Sequence, residues 1–329
     1  MQMRDIGKSG IKASAIGLGT WAIGGGPWWG KTEDKESVQA IQAALDSGIN
    51  FIDTAPAYGF GRSEEVIGKA IRGRRDKTVL ATKCGLWWHD NQGVEHFKLE
   101  GKTVRRILNP VTVRQELEMS LQRLQTDHID LYQTHWQSPR PEQEPIHETM
   151  QCLLQLKQAG KIRAIGASNV TLDQIKAYQA AGSLDSIQPR YSMLDRAIEK
   201  DILPYCRRSN ISILAYSPLE QGLLTGKIGM DRKFSATEYR NTLPWFKPEN
   251  RCRVLAMLSS WQDLTAKYKC SVGQLVIAWT LAQPGLTFTL CGARHANQVE
   301  ENAAAGSLML SSENIKRMRK DIEALGPPL

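Results

Sequence analysis

No stretch of the 329 residues approaches the ~18 uninterrupted apolar residues a membrane span needs. The opening MQMRDIGKSG has no apolar segment behind its charges, so neither a spanning nor an exported protein is expected. Cysteine is sparse. Cys84, Cys152, Cys206, Cys252, Cys270 and Cys291 include no C-x-x-C spacing, which argues against zinc ribbons and dithiol pairs, and no metal is expected. Such scattered thiols suit a reducing cytoplasm. The 27 glycines and 14 prolines follow no period, and aliphatic residues run throughout, so collagen-like and disordered chains are excluded. A dinucleotide-binding glycine turn is missing too. Gly17-x-Gly19-x-x-Ala22 fits the pattern, but Ile23-Gly24-Gly25-Gly26-Pro27 cannot open a helix after it.

Long runs of one charge are also lacking. Lys plus Arg number 42 against 34 Asp plus Glu, a formal +8, but the pairs Arg74-Arg75, Arg105-Arg106 and Arg207-Arg208 lie far apart. The densest group, Lys316-Arg317-Arg319-Lys320, reads as the solvated face of a C-terminal helix. This placement points to an anionic small ligand rather than to nucleic acid or a membrane surface.

What is present is a repeat of short aliphatic runs alternating with helical patterns. Eight strands are predicted: Ala15 to Leu18, Phe51 to Asp53, Val79 to Lys83, Ile129 to His135, Arg163 to Ser168, Ile187 to Tyr191, Ile211 to Tyr216 and Phe288 to Cys291. Helices are expected to follow near Asp34, Arg62, Thr112, Ile146, Thr171, Asp201, Ser271 and Asn297. Thr112-x-x-Gln115, Thr171-x-x-Gln174 and Ser271-x-x-Gln274 each read as a capping box. Eight such units close naturally into a (β/α)8 barrel, so residues 1–329 read as one α/β barrel domain. An N-terminal hairpin (Met3 to Ala13), two long loops (Leu86 to Pro110 and Leu219 to Asn250) and two extra helices (Arg251 to Tyr268 and Ser311 to Leu325) complete it.

In such a barrel the chemistry sits at the C-terminal strand ends. Strand two ends at Asp53, strand three at Lys83 and strand four at His135, each with inward parity. A turn cap, a solvated lysine and a core histidine are the dull alternatives, but three such residues at consecutive strand ends are hard to obtain by packing alone. Tyr58 follows five residues after Asp53, where flanking glycines let the loop bring its ring back over the mouth. A neighbouring Lys83 ammonium, held charged by Asp53, is expected to lower the phenol's pKa. Such a Tyr can protonate an alkoxide as it forms, with His135 hydrogen-bonded to the same oxygen.

In the settings NFIDTAPAYG, VLATKCG and HIDLYQTHW, these four residues resemble the catalytic tetrad of the aldo-keto reductases. The similarity covers nearly the whole chain, through GLGTWAIGG, GKIRAIGASN, AYSPLEQGLLTGK and GARHANQVEEN. It is nearest to the bacterial branch containing general stress protein 69 and methylglyoxal reductases. The resemblance implies an extended nicotinamide dinucleotide, NADPH with NADH possible. It places Ser168, Asn169 and Gln188 at the carboxamide and Tyr216 against the nicotinamide ring. Gly19, Thr20, Trp21 and Asp53 would stand beside the cofactor. Ser217, Pro218, Leu219, Gln221, Gly222, Leu223 and Lys227 would cover the pyrophosphate, and Gly292, Arg294, Gln298, Glu301 and Asn302 the adenosine end. Arg294 suits a 2′-phosphate, although an ion pair with Glu300 or Glu301 competes for it. Cys291 stands where related sequences often carry Pro.

Trp21, Trp87, Trp88 and Trp136 lie at strand ends and, with Tyr58 and His135, are expected to line a narrow pocket for small aldehydes or α-ketoaldehydes. A monomer or small homo-oligomer is expected. Two other readings stand beside this one: a Lys83 Schiff-base aldolase, and a cofactor-binding regulatory subunit resembling potassium-channel β-subunits.

Overall fold

The computed structural model describes residues 1–329. The chain opens with an antiparallel hairpin, β1 (Met3–Asp5) and β2 (Lys12–Ser14), and enters the barrel at β3 (Ile16–Gly19). After a 3-10 turn at Trp21–Gly24 and helix α1 (Asp34–Asp46) come β4 (Phe51–Asp53), α2 (Arg62–Ala70) and β5 (Val79–Cys84). The segment from Leu86 to Pro110, expected as a loop, is a three-stranded antiparallel sheet instead: β6 (Leu86–Trp87), β7 (Val94–Leu99) and β8 (Lys102–Arg106). The turn between β7 and β8 puts Glu100 and Gly101 both at positive φ, 48° and 76°, the two-residue geometry that matches hairpin twist.

Then follow α3 (Pro110–Leu124), β9 (Ile129–Thr134), α4 (Ile146–Gln158), β10 (Ile162–Ser168), α5 (Leu172–Ala181), β11 (Ser186–Gln188), α6 (Ile202–Ser209) and β12 (Ser212–Tyr216). The segment expected as a long loop from Leu219 to Asn250 is one as far as Lys247, wound into three 3-10 turns, and its last three residues already belong to the next helix. Helices α7 (Pro248–Ser259), α8 (Gln262–Tyr268) and α9 (Val272–Leu281), strand β13 (Phe288–Gly292), and helices α10 (Ala296–Ala305) and α11 (Ser312–Leu325) complete the chain. The order β10-β11-β12-β13-β3-β4-β5-β9 closes on itself with every pairing parallel, the (β/α)8 barrel expected. No helix is long and apolar enough to cross a membrane.

Three local expectations are corrected. Helix α3 starts at Pro110 because the Asn109 side chain accepts from the N–H groups of Val111 and Thr112, with Pro at the first helical position. Thr112 therefore lies inside the first turn, whereas Thr171 and Ser271 do form capping boxes. Strand β11 stops at Gln188, since Pro189 has no N–H to donate, and the chain touches β12 again only at Arg190. The stretch Arg251 to Tyr268 is two helices, broken where buried Trp261 turns its indole N–H to Asp321 (2.8 Å). The extra helices thus number three, not two.

Inward residues from strands around the whole barrel (Phe51, Val79, Ala81, Leu131, Phe288) pack on Ile6, Ile11 and Ala13 of the hairpin, which plugs the floor. The hairpin is tied down by Ser212 Oγ, which donates to Asp5 O (2.9 Å) and accepts from Gly7 N (2.8 Å). Outward residues such as Ile52, Leu80, Tyr132 and Ile165 pack under the helices. Helices α7, α8, α9 and α11 share a second apolar cluster with Leu223, Trp245 and Phe246.

Candidate active site

Asp53, Tyr58, Lys83 and His135 meet at the open end of the barrel. Lys83 is buried, and its ammonium donates to Asp53 Oδ1 (2.6 Å), to the Thr54 carbonyl (2.8 Å) and to Tyr58 Oη (3.3 Å). Burial alone would lower its pKa, but the Asp53 carboxylate and then the phenol outweigh that and raise it, so Lys83 stays protonated. Asp53 Oδ2 accepts from Gln188 Nε2 (2.8 Å) and Gln133 Nε2 (3.1 Å), so both carboxylate oxygens have partners.

The Tyr58 phenol corrects one expectation. Burial pushes its pKa up, and although Lys83 pulls it down, Asp53 adds to the rise and the net direction is upward. The half-buried ring is held by a tight turn in which Gly59, at φ +65°, presses its backbone on Gly24. A Cβ on Gly59 would stand 2.3 Å from the Gly24 carbonyl oxygen. Because Tyr58 Oη accepts from Lys83, its own proton is free to point elsewhere. The His135 ring packs edge-on to Tyr58 with centroids 5.8 Å apart. Burial, then Lys83 and His96, hold its pKa well below the ordinary value, so it is a neutral imidazole.

The carboxamide group of residues belongs to the same network. Ser168 Oγ donates to Gln188 O (2.8 Å), Asn169 Nδ2 to His135 O (3.0 Å) and Ser168 Oγ (3.1 Å), and Tyr216 Oη to Asn169 Oδ1 (2.9 Å). Gln188 links the two groups, its backbone carbonyl accepting from Ser168 and its side-chain amide donating to Asp53. Thr20 is buried behind the strand end, its hydroxyl donating to Asp53 O (2.9 Å) and accepting from Ser63 (2.8 Å). It braces Asp53 rather than facing the mouth. Gly19 borders it with part-exposed Trp21.

Beyond β12, Ser217, Gln221 and Gly222 all have positive φ (58°, 49° and 95°), and the buried Gln221 Oε1 has no partner. Pro218 is buried, Leu219 half-buried, and Leu223 sits in the second apolar cluster. Lys227 Nζ pairs with Glu301 Oε2 (2.5 Å), joining this segment to α10. Arg294 makes no ion pair with Glu300 or Glu301. Its Nη1 donates to Trp29 O (3.0 Å), while Glu301 pairs with Lys227, and its backbone N–H donates to Gln298 (2.9 Å). Gly292 is exposed beside it and Asn302 is buried on α10. Arg240, with an unpartnered Nε, stacks near Trp29 (5.8 Å) close to Arg232 and Arg294. Left-handed loop residues, the unpartnered Arg240 Nε and the clustered guanidiniums form a donor set that fits a polyanionic dinucleotide, while Gln221 Oε1 can only accept.

Sequence reasoning missed that the aromatic lining continues through Trp28, Phe97 and His96. Tyr58 meets Trp21 (6.4 Å), Trp21 meets Trp28 (5.8 Å), Trp28 meets Phe97 (5.3 Å) and Phe97 meets His96 (5.3 Å). His96 then meets Trp136 (5.2 Å), the chain neighbour of His135. Trp29 (5.2 Å) and Tyr239 (5.5 Å) support Trp21 from outside this collar. Trp88 packs on Phe60 (5.2 Å), and Trp87 is enclosed, its indole N–H on Asp90 (2.8 Å). Those two brace the small sheet instead of joining the collar. Gln133 was findable by parity, two residues before His135 on the same face.

The aldo/keto reductase family profile matches residues 15–323. The chain belongs to the aldo/keto reductase family. It is an oxidoreductase of the NAD(P)H-dependent, carbonyl-reducing kind. Over 327 residues it is 45% identical to a protein of Escherichia coli K12 named NADH-specific methylglyoxal reductase, covering 99% of both chains. It is 43% identical over 326 residues to aldo-keto reductase YhdN of Bacillus subtilis, covering 98% of this chain and 94% of that one. The solved glycerol dehydrogenase AKR11B4 of Gluconobacter oxydans superimposes with a TM-score of 0.87 at 39% identity, over 99% of this chain and 96% of that one.

Proposed function

We propose that this family member reduces small aldehydes and α-ketoaldehydes such as methylglyoxal, with Tyr58 as the proton donor. The carrying observation is the chain from Asp53 through Lys83 to Tyr58 Oη. Lys83 is fixed as a cation and donates to the phenol oxygen, so it stabilises negative charge left there when the Tyr58 proton passes to the carbonyl oxygen. His135, neutral, hydrogen-bonds that same oxygen and fixes the carbonyl at the collar. A reduced nicotinamide dinucleotide, when bound, supplies the hydride to the carbonyl carbon, and the product is the alcohol. Ser168, Asn169, Gln188 and Tyr216 would hold its nicotinamide end and the Ser217 to Lys227 segment its pyrophosphate. A raised Lys83 pKa and a full set of acceptors leave no nucleophilic lone pair, which disfavours the Schiff-base reading.

Arg294 beside Arg240 supports NADPH, whereas the name of the Escherichia coli relative favours NADH. Residues 1–329 would act as one barrel domain, in the cytoplasm given six cysteines without a disulfide. The deciding experiment follows oxidation of NADPH and of NADH with methylglyoxal, propanal and sugars, for wild type and Tyr58→Phe. Wild type should prefer the small aldehydes with NADPH. Tyr58→Phe should bind dinucleotide normally and lose about 10²- to 10⁴-fold in turnover. Wild-type rates in that variant would overturn the assignment, and activity with NADH alone would overturn the role given to Arg294.

A further inference from the structure

His96 carries no role in the reaction as derived, yet it is a member of the collar. Rings there that can both donate and accept hydrogen bonds are Tyr58, His135 and His96, whereas indoles only donate. The first two converge on the reacting oxygen. His96 makes aromatic contacts on Phe97 and Trp136, and no protein group hydrogen-bonds its nitrogens.

Its position is built into the backbone. Strand β7 pairs Glu95 with Arg105 and Phe97 with Val104, so His96 is the extra residue of a β-bulge. In a regular strand neighbouring side chains face opposite sides. The bulge lets His96 reach Trp136 while Phe97 reaches Trp28, so both join the collar. Burial and the neighbouring Arg106 hold the imidazole below its ordinary pKa, and it is close enough to His135 to oppose a proton there. A neutral imidazole has one donor and one acceptor nitrogen, so it can bond either a carbonyl or a hydroxyl oxygen.

Resting on the aldehyde-reductase reading, we propose that His96 determines specificity by hydrogen-bonding the oxygen on the carbon next to the reacting carbonyl. The site would thereby favour 2-ketoaldehydes and 2-hydroxyaldehydes over plain alkanals. The test compares kcat/KM for methylglyoxal and for propanal, with whichever dinucleotide the wild type uses, in His96→Phe and His96→Gln. Phe keeps a ring in the collar and removes both nitrogens, while Gln restores a donor and an acceptor.

In His96→Phe, methylglyoxal should lose about tenfold more than propanal, the weight of one hydrogen bond, with the loss carried by KM. His96→Gln should recover most of it. Melting curves of both variants identify a collapsed collar, in which case the Gln variant alone carries the test. Equal losses for the two aldehydes, or no recovery with Gln, overturn the proposal. Wild-type reduction of propanal but not of methylglyoxal overturns it while leaving the Tyr58 mechanism standing. Turnover of both aldehydes in Tyr58→Phe overturns the mechanism instead.

Discussion

At the floor of the barrel, Phe51, Val79 and Leu131 point inward onto Ile6 and Ile11 of the hairpin. Two to four residues further along the same strands, the inward positions are Asp53, Lys83 and Gln133. Both ends are buried, but different forces hold them. The floor is stabilised by apolar area removed from water. The mouth holds a charge pair and two amides whose desolvation is offset by the bonds of the Lys83 ammonium and of both Asp53 oxygens. The same strand, six residues long in β5, serves both, so folding energy and reactivity are separated by about two residue layers rather than by domains.

The comparison is broken most severely at Lys83. Lys83→Met leaves Asp53 buried without its cation, and we expect turnover to vanish together with a stability loss of about 3–5 kcal/mol by denaturant titration. Adding Asp53→Asn should restore most of the stability and none of the turnover. A double variant no more stable than the single one would show that the mouth contributes to folding as the floor does. At the floor, Ile6→Ala should cost about 2–5 kcal/mol while leaving kcat/KM within about twofold, since Ile6 belongs to the apolar floor and makes none of the hydrogen bonds that hold Asp53, Lys83 and Tyr58. A large fall in kcat/KM with an unchanged melting curve would contradict the separation.

The smallest effect concerns polar groups just outside the Lys83 strand. Glu116 is buried on α3, with Oε2 accepting from Gly85 N (2.8 Å) and Oε1 unpartnered, and burial raises its pKa to about 8. The folded state therefore keeps a proton that the unfolded chain loses above its ordinary carboxyl pKa. Glu116 thus takes stability away from the fold as pH rises from about 4.5 to 8, and no more above that. Glu116→Gln does not titrate, so it should melt with wild type at pH 4 and several degrees higher at pH 9. A constant difference across that range would mean that Glu116 is ionised in the fold.

The barrel was legible because each strand is a short aliphatic run with helical spacing after it, and Asp53, Lys83 and His135 were legible because strand parity alone puts them on the inner face. The small sheet was not, because in Val94-Glu95-His96-Phe97-Lys98-Leu99 a bulge destroys the alternation by which strands are read. Its Glu100-Gly101 turn was the available signal. The Asn109-Pro110 pair likewise announced α3 more strongly than Thr112 did. The phenol's direction was missed for a different reason. A sequence shows that Lys83 is near Tyr58 but not how far both are removed from water, and desolvation was the larger influence.

The clustering of indoles has an optical consequence. Of nine tryptophans, Trp21, Trp28 and Trp136 stand in the collar and Trp29, Trp87 and Trp88 beside it, while Trp245, Trp261 and Trp279 lie in the second apolar cluster. Excitation absorbed anywhere around the mouth can hop between neighbouring rings until it meets a quencher. Six of the nine indoles therefore stand at or beside the mouth, where a bound ring can quench their emission, and three stand away from it in the second apolar cluster.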